Sequence, residues 1–568
     1  MKKRNDPSRG ERGGSLWKSR IIGGIVAAVI VLVMFWFMLP PINLTSPVFW
    51  RFAVLSLIVF LVCMSVGELR GAAASAGTSE VEIGGVKVHK PNLPSFKRSS
   101  RMIKGFLFTI GGIVALMVLA SVFGAEIFHA GSYKDLLQKT DGNFTEDVAE
   151  LSMNQIPVVD RDSSIQLGKR KLGEMSDLVS QFEISEEYTQ INYQNRPVRV
   201  TPLVYGDLFK WFNNQSEGVP AYIKVDMVSQ ETTLMRLEKG MKYAPCEFLL
   251  RDLQRHLRFN YPTKIFETYS FEIDEEGTPY WIAPTVRYRI GLWNGRDIEG
   301  AVLVNAITGE HRYYAVEDIP TWADQVYNAG IILEQLTWNG KYQSGFWNAN
   351  FGQKGVLRPT DGYNYIAVND DVYLYTGMTS VAGDQSNVGF VLVNMRTKDT
   401  KFYTISGAEE NSAMSSAQGR VQDQGYKATF PLLLNVSNRP TYFMSLKDNS
   451  GLVKMYAFVD VKRYQLVGLG STVQEAKADY ERVLNKEEGV QAGDTEEKTG
   501  VVKEIHDVVL EGNTSYYLQL EQEERIFVAS VEVSPELPFL KAGDRVKLTY
   551  KGDEDSRTME VITIQRTE

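Results

Sequence analysis

Apolar and polar positions follow three different rhythms along the chain. Before residue 125 the apolar residues run together. Ile21 to Leu39 is an uncharged stretch of the length needed to cross ~30 Å of hydrocarbon, Phe52 to Val66 with its flanks is a second, and Gly105 to Ala125 a third. Trp17, Trp36 and Trp50 stand near the ends of these runs, where amphipathic rings favour an interface. From Thr201 onward short apolar or aromatic runs are separated by Gly, Asn, Asp and Pro, the pattern of strands joined by turns. Beyond Gly500 strict alternation takes over, in Val501–Ile505, Ser515–Leu520, Arg525–Val528 and Ala542–Tyr550, and predicts a small β-barrel.

These rhythms predict a membrane-anchored α+β protein with three N-terminal transmembrane helices, repeated small α+β modules and a C-terminal β-barrel. The divisions read from the sequence are a basic tail (1–20) and three spans (21–125) with a loop at 67–104. A stalk subdomain (126–200) follows, with helical stretches such as Leu172 to Phe182. Then come α+β modules at 201–330, 331–410 (beginning with an aromatic-rich segment) and 411–484, a linker at 485–499 and the barrel at 500–568.

The repeat shows in recurring phrases. Pro279–Pro284, Gly300–Glu310 and His311–Tyr314 precede a helix expected from Pro320. Val372–Tyr375, Gly389–Asn394 and Lys401–Tyr403 precede one expected from Ala408. Pro440–Met444, Tyr456–Asp460 and Tyr464–Val467 precede a helix over Thr472–Leu484, for which Ser471 with Gln474 reads as an N-cap pair. A weaker copy lies at Val219–Leu234. Val304-Asn305-Ala306-Ile307-Thr308-Gly309-Glu310 resembles the closing hairpin of a PepSY-type module; Asn394 and Asp460 fill the place of Asn305, neither followed by Thr-Gly. The resemblance implies non-catalytic binding modules of the cell envelope, as in an uncharacterised class of Gram-positive-type envelope proteins. The Ala542-Gly543-Asp544-Arg545-Val546 turn is similar to that of OB-fold barrels.

Charge sets an orientation. Lys and Arg crowd the first twenty residues and the loop before the third span, whereas the Pro40-Pro41 connection carries none before Arg51. The positive-inside rule then places the basic segments in the cytoplasm and everything after Ala125 outside. Through Ala125 there are 15 Lys and Arg against 5 Asp and Glu, a balance of +10; the whole chain carries −8, so the remainder carries −18. That field opposes nucleic acid and anionic lipid, and the barrel lacks the basic, aromatic stripe that single-stranded nucleic acid requires. No nucleic-acid partner is expected. Small residues four apart, Gly23/Ala27, Gly24/Ala28 and Gly111/Ala115, permit close helix packing or self-association in the bilayer.

Catalytic apparatus is not visible. The five histidines are far apart in sequence, with no His-x-x-x-His pair and no zinc-spaced cysteines, so neither metal nor cofactor is expected. No Gly-x-Ser-x-Gly elbow and no phosphate loop occurs. Asp274-Glu275-Glu276 reads as a solvated hairpin turn, and Asn369-Asp370-Asp371 lacks the spacing of a calcium loop. The chosen binding patch is Trp338, Tyr342, Phe346, Trp347 and Phe351, whose rings alternate with amides and offer contact area at little entropy cost. The reading is a non-enzymatic, multi-pass protein of the cytoplasmic membrane, its C-terminal region extracytoplasmic, binding an envelope protein or peptide, whether alone or within a membrane complex. The alternative is an envelope hydrolase or glycan-processing enzyme whose carboxylates converge between modules.

Overall fold

The computed structural model describes residues 8–75, 78–83, 86–91, 99–150, 156–368, 370–381, 386–487, 496–510, 513–530, 533–534, 536–551 and 557–567. Among these residues the chain is mixed α+β, with several antiparallel sheets and three helices apolar enough to span a membrane, at Ile21–Met38, Pro47–Val66 and Lys104–Phe123. It divides into two compact units, Met1–Tyr480 and Glu481–Glu568. Gly23 lies against the second apolar helix so closely that a Cβ would sit 2.9 Å from the Cys63 carbonyl oxygen, and Ala27 is buried. Gly111 has no such neighbour.

In the first unit one pairing plan recurs in four sheets: two short strands share one long strand, which pairs with a second long strand and then a last one. The long central strands are Arg196–Tyr205 with Val219–Asp226, Pro279–Ile290 with Asn294–Asn305, Asp371–Ser380 with Ser386–Asn394, and Arg439–Lys447 with Val453–Asp460. Each second long strand ends on Asp or Asn for a physical reason: its side-chain oxygen collects the N–H groups of the turn that follows. Asn305 accepts from Ile307 and Thr308, Asn394 from Arg396 and Thr397, Asp226 from Val228 and Ser229, and Asp460 from Arg463 across a turn one residue longer. The fifth turn residue is left-handed in three of them, Gln230, Gly309 and Lys398. Only Gly309 must be glycine, because the Tyr243 ring would lie 2.3 Å from a Cβ there.

The order of helix and sheet differs from the sequence reading. Val158 and Val159, Lys242 and Tyr243, Val326 and Tyr327, and Ala408 donate their backbone N–H to the residue after the turn Asx: Met227, Ala306, Met395 and Val461. The helices that follow, Arg161–Gly173, Leu253–Asn260, Ala329–Lys341 and Glu410–Arg420, therefore lead the sheets downstream. Boundaries at 200, 330 and 410 consequently fall inside or at the edge of a strand or helix. Residues 320–328 are irregular, not the start of a helix. Leu172–Phe182 is the end of one helix, a turn and the first residue of a strand. Residues 126–148 do not form a separate stalk: Thr140–Asp141 pairs in parallel with Lys401–Phe402 of the third sheet, and Asn435 of the fourth sheet donates to the Val148 carbonyl. The Val473–Glu487 helix is capped one residue later than expected, by Thr472 exchanging bonds with Glu475.

Packing joins the four sheets in a cycle. Tyr222 donates to the Gly277 carbonyl, Lys398 pairs with Asp297, Asn364 donates to the Phe430 carbonyl, and Ser445 donates to the Val158 carbonyl. Ile331, Ile332 and Leu336 of the third leading helix are fully buried in a core shared by the second and third sheets, each worth roughly 2 kcal/mol in area removed from water. In the second unit, strands from Glu496 onward close a five-stranded barrel in which the third and fifth strands pair in parallel, around Phe527, Leu518, Leu548 and Val546. The linker expected at 485–499 is reduced at both ends, since helix continues to Glu487 and strand begins at Glu496; residues 488–495 lie outside the described set.

Candidate functional site

The aromatic segment begins on the last turn of the Ala329–Lys341 helix and continues through Gly345–Trp347 and a π turn, Asn348–Gly352. Asn339 fixes it by donating to the carbonyls of Lys134 and Leu137, in the segment that continues the third apolar helix. Trp338 Nε1 donates to Glu126 at 3.0 Å, the Tyr342 hydroxyl donates to the same carboxylate, and Lys341 pairs with it at 3.3 Å. Burial alone would raise the Glu126 carboxyl; the bonds from Tyr342 and Trp338 and the Lys341 charge outweigh it, so the group sits below its ordinary value. The Tyr133 hydroxyl donates to the Gly124 carbonyl, and its phenol is pushed up to about 12 by burial and by Glu126.

The five aromatic residues therefore form one contiguous line with two characters. Tyr342 is buried, and Trp338 and Phe346 are half-buried against Ala130, Tyr133 and Ile290. Trp347 and Phe351 are 66% and 77% exposed and stack on each other at 5.8 Å. On the other side of the 126–148 segment an open cleft of about 690 Å³ is lined by Gln138, Thr140, Asp147, Tyr373, Lys401 and Tyr403, among others. Lys401 and Asp147 meet across it at 2.5 Å. Its lining combines the apolar side chains of Leu136, Val148 and Leu392 with the charges of Asp147 and Lys401.

Two groupings were missed in sequence. Glu272 and Asp324 are completely buried: Glu272 accepts from the backbone N–H of Asp324 (2.8 Å) and Gln325 (3.0 Å) and from Ser270, and Asp324 accepts from Asn192 N–H at 2.7 Å. Burial pushes Glu272 up to about 7 against those donors, and burial with the neighbouring Glu272 charge pushes Asp324 well above its ordinary value. No signal marked this pair in the sequence: Ser270-Phe271-Glu272-Ile273 alternates polar and apolar, the pattern of a strand with Glu272 on a solvated face. Nearby, Asp274-Glu275-Glu276 is a turn, with Asp274 accepting from Glu276 and Thr278 N–H. The second grouping brings together His256 and His311, 55 positions apart, with ring centroids 5.2 Å from each other. His256 Nε2 meets the Gly309 carbonyl and His311 Nδ1 meets the Tyr261 hydroxyl, so these ring nitrogens are engaged within the protein. Among the described residues no group of three or more His, Cys, Asp and Glu is arranged to hold a metal.

No family model matches the chain, and no curated protein does. Among solved structures, a levansucrase variant from B. megaterium aligns at 8% identity over 74% of this chain and 98% of its own, with a TM-score of 0.18. A superposition at that score carries nothing about fold or activity.

Proposed function

We propose that the chain is a multi-pass protein of the cytoplasmic membrane whose four sheets are copies of a PepSY-like module. In this reading the sheets and an OB-like C-terminal barrel stand outside the cell, and the protein acts by binding a protein or peptide partner. The basic first twenty residues and the basic loop before the third span, against a Pro40-Pro41 connection with no Lys or Arg before Arg51, support the orientation. The shared pairing plan and Asx turn support the repeat, and the strand order of the barrel is compatible with an OB-type Greek key. The observation that carries the binding reading is the cleft beside the 126–148 segment, built where that segment crosses the third sheet. A hydrolase acting between modules calls for carboxylates that open to solvent. The pair that converges between sheets, Glu272 and Asp324, is fully buried instead.

Location and binding are tested separately. Cys246 is a poor topology probe, since burial and Glu247 push its thiol up to about 12. Gly419→Cys is better, on an exposed helical position with open space around the Cβ, with Ser99→Cys as the cytoplasmic comparison. A membrane-impermeant maleimide is expected to label Gly419→Cys in intact cells and Ser99→Cys only after lysis; the reverse pattern sinks the orientation. For binding, a photo-crosslinking amino acid at Gln138 or Lys401 is expected to capture the same partner in cells. Capture no greater than at Gly419 would remove the cleft as the binding surface.

A further inference from the structure

Around the outer ends of the apolar helices the protein exposes large side chains that its own fold does not cover. The short helix Leu208–Asn214 turns Trp211 inward, where Nε1 donates to Glu247 at 2.8 Å, and thereby turns Leu208, Phe209 and Phe212 outward. Beside it, Phe248 packs on Trp211 with ring centroids 4.8 Å apart, while Leu249 and Leu250 are more than 60% exposed. The loop is held in that attitude. Leu249 has a left-handed backbone (φ 56), Arg251 donates to the Gln215 carbonyl, and Arg255 donates to the Leu249 carbonyl.

Arg255 ties this patch to the first apolar helix. Its other guanidinium nitrogen donates to the Trp36 carbonyl at 3.3 Å, and its head lies 4.3 Å from the Trp36 ring. One side chain thus bridges the last turn of that helix and the Leu249 backbone. A second patch, Trp347 and Phe351, connects through Phe346 and Tyr342 to Glu126, three residues past the third apolar helix.

We propose that these patches are two apolar feet that insert into the outer leaflet of the bilayer, so that the four-sheet unit rests on the membrane surface. The inference rests on the membrane reading above and extends it to residues outside the spans. Hydrophobic insertion is the term available, because residues 126–480 carry a net charge of −9, which opposes electrostatic adsorption to anionic lipid. Leu, Phe and Trp at headgroup depth gain the transfer energy of an interfacial helix, and the indole keeps its N–H at the wet boundary.

The test uses the full chain in lipid nanodiscs, with Cys63 and Cys246 replaced by alanine and a nitroxide at Phe209→Cys, Leu250→Cys or Trp347→Cys. Val118→Cys in the third apolar helix and Gly419→Cys serve as the lipid and water references. Collision with oxygen, which concentrates in lipid, and with a water-soluble nickel chelate is measured at each. The expected result is an oxygen-to-nickel ratio at the three feet several-fold above that of Gly419→Cys and approaching that of Val118→Cys. If Val118→Cys reads as lipid and the feet read as water, the feet proposal is overturned and the anchor stands. If the feet are shielded from both reagents, protein covers them and the lipid assignment is wrong. If Val118→Cys itself reads as water, the membrane reading fails and takes the feet with it.

Discussion

The long strand Pro279–Ile290 pairs, over Pro279–Ile282 and again at Thr285–Val286, with regions that bury ionisable groups in opposite ways. Near Ile265–Phe266, Arg258 is 4% exposed yet charged: Nε donates to the Leu39 carbonyl at 2.9 Å and one terminal nitrogen reaches the carbonyls of Tyr261, Pro262 and Lys264. Burial lowers it only to about 10, well above neutrality. Over Ser270–Ile273, Glu272 and Asp324 are buried beside one another, and burial raises both carboxyls. Arg258 meets four carbonyls, which offset much of the cost of its burial; at Glu272 burial outweighs the two backbone N–H groups and the Ser270 hydroxyl, and at Asp324 the neighbouring Glu272 charge adds to burial. The first arrangement also meets the carbonyl end of the first apolar helix, which favours a cation.

The most damaging way to break this contrast is to remove the cation. Arg258→Met leaves four carbonyls without their shared donor, and the expected loss is about 3–5 kcal/mol by urea unfolding in detergent. Arg258→Lys is expected to recover only part, because an ammonium cannot spread its donors across the span end and the 261–264 loop together. A loss no larger for Arg258→Met than for Arg258→Lys would mean that packing, not the carbonyl clasp, holds the loop to the span.

In the other region the expected change has the opposite sign. Glu272 and Asp324 have raised folded-state values, so the folded protein keeps a proton that the unfolded chain releases above its ordinary carboxyl range. Their contribution is full below about pH 4 and is lost as pH climbs toward 7. Asp324→Asn keeps an acceptor for Asn192 and removes one of the two like charges. It is expected to stabilise the protein by roughly 2 kcal/mol at pH 8, with little change at pH 4. Melting temperatures of the two proteins from pH 4 to 8.5 decide it: parallel curves would mean that the pair does not share a proton.

What the sequence conceals follows from the same physics. The apolar helices were legible because their runs of uncharged, mostly apolar residues are long enough to cross hydrocarbon, and the barrel strands because alternation has one period. The Thr-Gly-Glu turn was legible once, at Gly309, where the Tyr243 ring demands glycine; Gln230 and Lys398 build the same turn without the motif. Helix order was misread because the bonds that assign a helix to its sheet are backbone bonds to Met227, Ala306, Met395 and Val461, which leave no trace in residue type. Arg258 and Glu126 gave no signal in the sequence: Arg258 meets Leu39, and Glu126 meets Tyr342, across more than 210 positions.

Glu126 supplies the smallest and most discriminating test, because it is a carboxylate treated as Arg258 is treated. It stands in the first turn of the Glu126–Lys134 helix, where an anion is favoured, and Tyr342, Trp338 and Lys341 converge on it. Its folded-state value is lowered, so its contribution is present above the ordinary carboxyl range and is lost as pH falls through the lowered value, the reverse of the Glu272–Asp324 pair. Glu126→Gln retains one acceptor but sets an NH₂ against Trp338 or against Tyr342 and Lys341. Because the group is half-exposed, the expected loss is only about 1 kcal/mol at pH 7. The loss should shrink toward pH 3.5 as the wild-type carboxyl protonates. Urea titrations of both proteins at the two pH values test it. A deficit that grows on acidification would place Glu126 with Glu272 and Asp324, whose donors do not outweigh burial.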